Sequence, residues 1–184
     1  DIAHEVSCSN KKIDAIAQQT QGRRKKLLVA DMESTIIENE MLDELAEDAG
    51  IHDQIADITM RAMNGEIDFE TAIEERVKLL AGLNTAALYN TAKRIRITEG
   101  AEQLITTMRS EGAYCALVSG GFTFYTSNIR LRLGFDFDQA NELEIIDEKL
   151  TGQVIKPILG RSAKENRLRA LCKQQNIPLS ATMA

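Results

Sequence analysis

The sequence predicts an α/β fold in which a parallel sheet carries a helical insert after its first strand. Three observations lead there. Leu27-Leu28-Val29-Ala30 and Tyr114–Val118 are short, continuous apolar runs, the pattern of strands buried on both faces of a parallel sheet. Between them the periodicity is helical throughout. After residue 98, helix and strand patterns alternate, as in an α/β layer.

Each element has its own justification. Residues 1–22 are polar and end at Gln21-Gly22, a leading segment or linker. The basic run Arg23-Arg24-Lys25-Lys26 reads as a solvated lead-in to the first strand or as a phosphate contact. The first strand ends at Asp31. Met41, Leu42, Leu45, Ala46 and Ala49 then recur at helical spacing, and Gly50 closes that helix. A second helix runs from His52 to Met63 and stops at Asn64-Gly65. A third has Asp68 as N-cap and continues through Ile73, Val77 and Leu80. Asn84 caps a fourth, through Leu88 toward Ile95. Helices with no strand among them make a bundle-like insert.

Thr98 is the expected cap of a helix through Leu104, Ile105 and Met108 that ends at Gly112. After the strand Tyr114–Val118, Ser119-Gly120-Gly121 makes the turn into a helix from Phe122 to Leu133, closed by Gly134. Residues 142–146 and 150–154, joined through Asp147-Glu148-Lys149, read as a β-hairpin. Ser162-Ala163-Lys164-Glu165 is a capping box that opens a helix reaching about Gln175, which Pro178 forbids from continuing. A further strand is expected where the sequence reaches Ala184.

The 184 residues are 43% hydrophobic and 27% charged, a composition able to bury a core. The net charge of −6 offers no general attraction to nucleic acid or anionic lipid. No apolar run approaches the ~20 residues of a membrane span, and Asp1-Ile2-Ala3-His4-Glu5 is not a signal peptide. A chain that begins without Met is read as a fragment. Cys8, Cys115 and Cys172 are widely spaced and form no CxxC, so they read as structural thiols in a reducing, cytoplasmic setting. There is no GxxxxGK[ST] loop, no GxGxxG turn after a strand, and no HExxH, since His4 and His52 are the only histidines.

In open α/β sheets, ligands sit beyond the carboxyl ends of the strands. That rule singles out the turns at Asp31 and Ser119. In Asp31-Met32-Glu33, two carboxylates at i and i+2 share a side of an extended segment. Their repulsion calls for a cation or a proton, the setting of a Mg²⁺-assisted nucleophile with a general acid/base. The same residues also read as a solvated loop that caps the next helix. Ser119-Gly120-Gly121 offers a hydroxyl and unobstructed N–H groups to an anion, or else a turn that needs positive φ. Lys164 near a helix start opposes the macrodipole, which a phosphate nearby would explain. Taken alone, it reads better as an exposed lysine on a polar helix.

Together these three features, in this order, resemble the haloacid dehalogenase superfamily and, within it, the phosphoserine phosphatase family. Leu28-Val29-Ala30-Asp31-Met32-Glu33-Ser34-Thr35-Ile36-Ile37 is similar to that family's first motif. Glu40–Ala46 is similar to its first cap helix, while Gly65-Glu66-Ile67-Asp68-Phe69 and Glu75–Leu80 are similar to its cap's substrate region. Val118–Thr123 resembles its second motif, and Leu150-Thr151-Gly152 with Lys164 resembles the approach to its third. The resemblance covers residues 23–184. It implies a Rossmannoid parallel-sheet core over residues 23–37 and 98–184, with a helical cap over 38–97.

The resemblance also implies roles. Asp31 attacks phosphorus, and Glu33 protonates the leaving oxygen and then activates water. Ser119 and the Gly120 N–H hold phosphate oxygens, and Lys164 balances their charge. Mg²⁺ binds the Asp31 carboxylate and the backbone carbonyl of Glu33. Glu40 meets the ammonium of O-phosphoserine, Arg76 meets its carboxylate, and Phe69 covers the site. Taken without the resemblance, Glu40 and Arg76 read as surface helix charges and Phe69 as cap core. The partner implied is a small molecule, with neither nucleic acid nor membrane.

Two departures stand out. The family's first motif has Asp where this chain has Glu33. Its fourth motif, Gly-Asp-Gly-x-x-Asn-Asp, supplies another carboxylate to Mg²⁺ and falls beyond Ala184. Residues 1–184 are therefore expected to be a truncated form that binds Mg²⁺ weakly, unless Asp136 or Asp138 stands in for the missing ligand. Two other readings stay open: a related phosphatase or phosphotransferase acting on another small phosphorylated metabolite, and a non-catalytic phosphate-binding fragment.

Overall fold

The computed structural model describes residues 19–160 and 162–184. Expectations for residues 1–18, with His4 and Cys8, lie outside the described residues. The sheet has the order β4-β3-β2-β1-β5. Its strands are β1 (Leu27–Ala30), β2 (Tyr114–Phe122), β3 (Phe137–Ile146), β4 (Lys149–Ile155) and β5 (Thr182–Met183). β1 runs parallel to β2 and β5, and β2 parallel to β3, while β3 and β4 are antiparallel.

The continuous apolar runs divide between two buried faces, because successive side chains of a strand point to opposite sides. Leu27, Val29, Ala116 and Val118 pack on Leu171 and Cys172 of α7 (Ala163–Gln174). Leu28, Ala30, Cys115 and Leu117 join the larger core on the other face. That core takes in Ile105 of α5 (Ala101–Ser110), and Tyr125 and Ile129 of α6 (Thr123–Leu133). Cys115 and Cys172 are both free and buried.

Four helices lie between β1 and α5: α1 (Met41–Ala49), α2 (His52–Met63), α3 (Phe69–Lys78) and α4 (Ala86–Ala92). Met41, Leu45, Ile55, Ile73, Val77 and Leu88 turn inward to one core. Gly50 ends α1 in the left-handed conformation (φ 68°), which glycine adopts without steric cost. Asp68 caps α3 by accepting the Thr71 N–H at 2.7 Å. The N-cap of α4 is Thr85 rather than Asn84; Asn84, one residue before it, accepts the N–H of Ala86 at 2.8 Å, and the helix stops at Ala92 rather than near Ile95.

Several expectations need correction. Thr98 does not cap α5 with its side chain; Gly100 takes that position with φ 85°, and Thr98 supplies its backbone carbonyl to Ala101 at 3.0 Å. The capping box at Ser162 does not form. Its backbone is already helical (φ −80°, ψ −7°), whereas a capping side chain needs an extended residue to reach back to the first turn. Glu165 instead pairs with Arg169 at 2.9 Å.

β2 does not stop at Val118. It continues to Phe122 through a bulge: Val118 pairs with Gln139 and Phe122 with Asn141, so three residues face one. β3 starts earlier than the hairpin reading allowed, because its first half pairs with β2 and only its second half with β4. The hairpin turn has Asp147 and Glu148 at φ 49° and 59°, the two positive angles of a tight two-residue connection. The basic run is a lead-in held by surface contacts, Arg24 to Glu111 and Lys25 to the Ser180 carbonyl.

Leu117 is wholly buried at the centre of β2. Leu117→Ala is expected to lower unfolding free energy by about 2–5 kcal/mol, the range for a leucine cavity in a close-packed core. Urea unfolding followed by circular dichroism measures it.

Candidate active site

The site follows from the register of β1 and β2. Ala30 lies opposite Leu117, so Asp31 and Ser119 leave the sheet close together at its carboxyl end. The bulge then throws Ser119, Gly120 and Gly121 out of the ladder on the same side. A cavity of about 660 Å³ opens there. All eight residues singled out from the sequence line it: Asp31, Glu33, Glu40, Phe69, Arg76, Ser119, Gly120 and Lys164.

Asp31 begins an irregular helical turn, Met32–Ile36, by accepting the Met32 N–H at 2.8 Å. Its other oxygen pairs with Lys164, from the first turn of α7. That pair accounts for a lysine at a helix start, since the Asp31 charge outweighs the macrodipole's repulsion. Ser119 is buried, and its Oγ accepts the Gly121 N–H at 2.9 Å, which aims the oxygen. Neither Gly120 nor Gly121 has a positive φ, so the turn explanation for them fails. Their value is closeness: a Cβ on Gly120 would lie 3.1 Å from the Phe69 ring. Phe69, the first residue of α3, thus rests on the second loop rather than in the helical core.

Glu33 Oε1 accepts the Met41 N–H at 2.9 Å and so caps α1 from outside the helix. Glu40, at the N-cap position itself, makes no capping bond and instead accepts the Ser34 hydroxyl at 2.6 Å. Ser34 has φ 50°, an uncommon conformation for a residue other than glycine. Burial pushes the Glu33 carboxyl up to about 7, and the charges of Glu40 and Asp31 add to this. The Met41 N–H and Arg76 pull the other way. Arg76 Nε is bonded to the Ala72 carbonyl at 3.1 Å. Burial lowers its pKa, against the opposing charges of Asp43, Glu33 and Glu40.

Three residues of the site were not found from the sequence. Asp43 and Thr59 line the cavity. Asp43 lies three residues from Glu40, a helical spacing that could have indicated it. Asn141 is buried on β3, donating to the Gly120 carbonyl at 2.8 Å and accepting the Leu159 N–H at 2.7 Å. It ties the second loop to the segment leading to Lys164, and nothing local in the sequence marks it. Asp136 and Asp138 do not stand in as metal ligands. Asp136 holds Arg109 and the Cys115 N–H, Asp138 holds Thr126, Ser127 and Arg130, and neither lines the cavity. Among the described residues no group of three or more His, Cys, Asp or Glu could hold a metal ion. One carboxylate and one carbonyl are hard oxygen donors suited to Mg²⁺, which keeps several waters and takes one or two carboxylates.

A model described as haloacid dehalogenase-like hydrolase matches residues 28–184. The chain is 41% identical over 167 residues to a phosphoserine phosphatase of Archaeoglobus fulgidus, covering 90% of this chain and 48% of that protein. It is 39% identical over 162 residues to one of Methanocaldococcus jannaschii, covering 88% of this chain and 77% of that protein. Among solved structures, a phospho-aspartyl intermediate analogue of phosphoserine phosphatase superposes with a TM-score of 0.80 at 39% identity, covering 87% of this chain and 77% of that one. A substrate-bound phosphoserine phosphatase complex also gives 0.80, at 38% identity and 87% and 76% coverage. The chain spans about half the length of several curated relatives it matches, 48%, 45% and 52% in three of them.

The Glu33 carboxyl binds its proton more tightly when folded than when unfolded, where it titrates near 4.5. Its effect on stability is nil below about pH 4.5 and grows as a penalty as pH rises toward 7. Glu33→Gln mimics the protonated form, so it is expected to gain on the parent between pH 5 and pH 8, by up to about 3 kcal/mol. Urea unfolding at both pH values, in EDTA, checks this.

Proposed function

The chain belongs to the haloacid dehalogenase-like hydrolase family, and from that premise we propose that it hydrolyses O-phosphoserine to serine and phosphate. The observation that carries the reading is one cavity with two chemistries. On the sheet side, Asp31, Ser119, Gly120 and Lys164 suit a phosphate; on the helical side, Glu40 and Arg76 suit an ammonium and a carboxylate. The naming of two structural neighbours for a phospho-aspartyl analogue and a bound substrate agrees with it. In this reading residues 38–97 act as a cap over a core of 23–37 and 98–184, in a cytoplasmic protein.

The Asp31 carboxylate attacks phosphorus in line. The new bond joins Asp31 oxygen to phosphorus, and the bond between phosphorus and the serine oxygen breaks. Glu33 gives its proton to that oxygen as serine leaves. The Glu33 carboxylate then takes a proton from water, which attacks the aspartyl-phosphate and frees Asp31. A group titrating at about 7 suits both directions of proton transfer at neutral pH. Ser119 and the Gly120 N–H hold phosphate oxygens while Lys164 balances their charge. The Asp31 carboxylate and Glu33 carbonyl would hold Mg²⁺, which supplies further charge neutralisation at the phosphate. Phe69, resting on Gly120, shields the site from water.

Phosphate release from O-phosphoserine by the full-length protein tests the proposal; turnover of other small phosphates but not of this one would refute the substrate. Asp31→Asn is expected to abolish release while circular dichroism stays unchanged, since an amide cannot form the acyl-phosphate. Arg76→Ala is expected to lower kcat/KM for phosphoserine by about 10–150-fold, the value of one charge-assisted pair, with little effect on p-nitrophenyl phosphate. Equal losses on both substrates would return Arg76 to a structural role.

A further inference from the structure

Position 121 is glycine for reasons of space, and Glu33 fills that space. The backbone at Gly121 is not left-handed, so nothing in its φ demands glycine. A Cβ there would lie 2.7 Å from Glu33 Oε2, 3.1 Å from Cδ and 3.3 Å from Oε1, and those are its three nearest neighbours. We infer that Gly121 is a positioning residue: its missing side chain is the slot that seats the Glu33 carboxyl, and the two form a size-matched pair.

Three further contacts make the slot rigid. On its other side the carboxyl is held by the Met41 N–H at 2.9 Å. The wall itself cannot retreat, because Gly121 N–H is bonded to Ser119 Oγ and Phe122 is paired with Asn141. A methyl at 121 would therefore move the carboxyl at the end of its flexible side chain, not the backbone. The catalytic consequence rests on the proposed proton transfer by Glu33; the seating of the carboxyl does not.

The test is a cycle of Gly121→Ala and Glu33→Asp in the full-length protein. Gly121→Ala is expected to lower kcat on phosphoserine by about 100-fold with KM nearly unchanged, the cost of roughly 1 Å of misplacement. The double variant, with the shorter acid beside the new methyl, is expected to recover at least about 10-fold of that loss. Independently of turnover, the Met41 amide resonance in a ¹⁵N–¹H spectrum should move in Gly121→Ala, because its acceptor has moved, while the rest of the spectrum shows the fold intact. Losses that simply multiply in the double variant, or an unmoved Met41 resonance, overturn the pairing. A parent protein inactive on phosphoserine would instead refute the proposed substrate, and the Met41 resonance would still decide the seating.

Discussion

The parallel pairing of β1 with β2 is the constraint on which the rest depends. With Ala30 opposite Leu117, the two strands end together, and the residues after them are delivered to one place. A slip of β1 by one residue would turn Leu28 and Ala30 to the opposite face and shift Asp31 away from Ser119. The apolar core on both sides of the sheet forbids that slip, so burial far from the cavity sets the geometry within it.

The bulge between Val118 and Phe122 is the second device. It removes Ser119, Gly120 and Gly121 from the ladder, where their polar groups would otherwise be spent on β3. Asn141 occupies the gap that this opens, satisfying the Gly120 carbonyl and the Leu159 N–H. A buried amide with both ends bonded fixes two loops at once, and leaving either partner unpaired would be costly.

Charge in the cavity is arranged around one arginine. Glu33, Glu40 and Asp43 all act on Arg76, and each relieves part of the cost of burying it. Burial, with smaller contributions from the charges of Glu40 and Asp31, works against ionisation of Glu33, so its carboxyl titrates near neutrality while it also caps α1. A helix terminus, a carboxyl that titrates near neutrality and a cavity-lining arginine therefore belong to one electrostatic unit. A change in any of them is felt by the others.

The sequence by itself determined the layer order, the first three helices of the insert almost to the residue, and Asp31, Glu33, Ser119, Gly120 and Lys164 as candidates; Glu40, Phe69 and Arg76 came only through the family resemblance. Those features are local: apolar runs, helical periodicity, Asp68 as a cap, Gly50 as a stop, and motifs that follow strands. Tertiary structure decided the rest. Whether β2 continues past Val118 depends on β3, a partner distant in sequence. Ser162 fails as a cap because its own backbone is already helical, and Thr98 yields to Gly100, which takes a left-handed conformation there. The need for glycine at 120 and 121 is set by Phe69 and Glu33, which approach from other elements. A local pattern specifies what a segment can do alone; only packing specifies which neighbour will fill the space beside it.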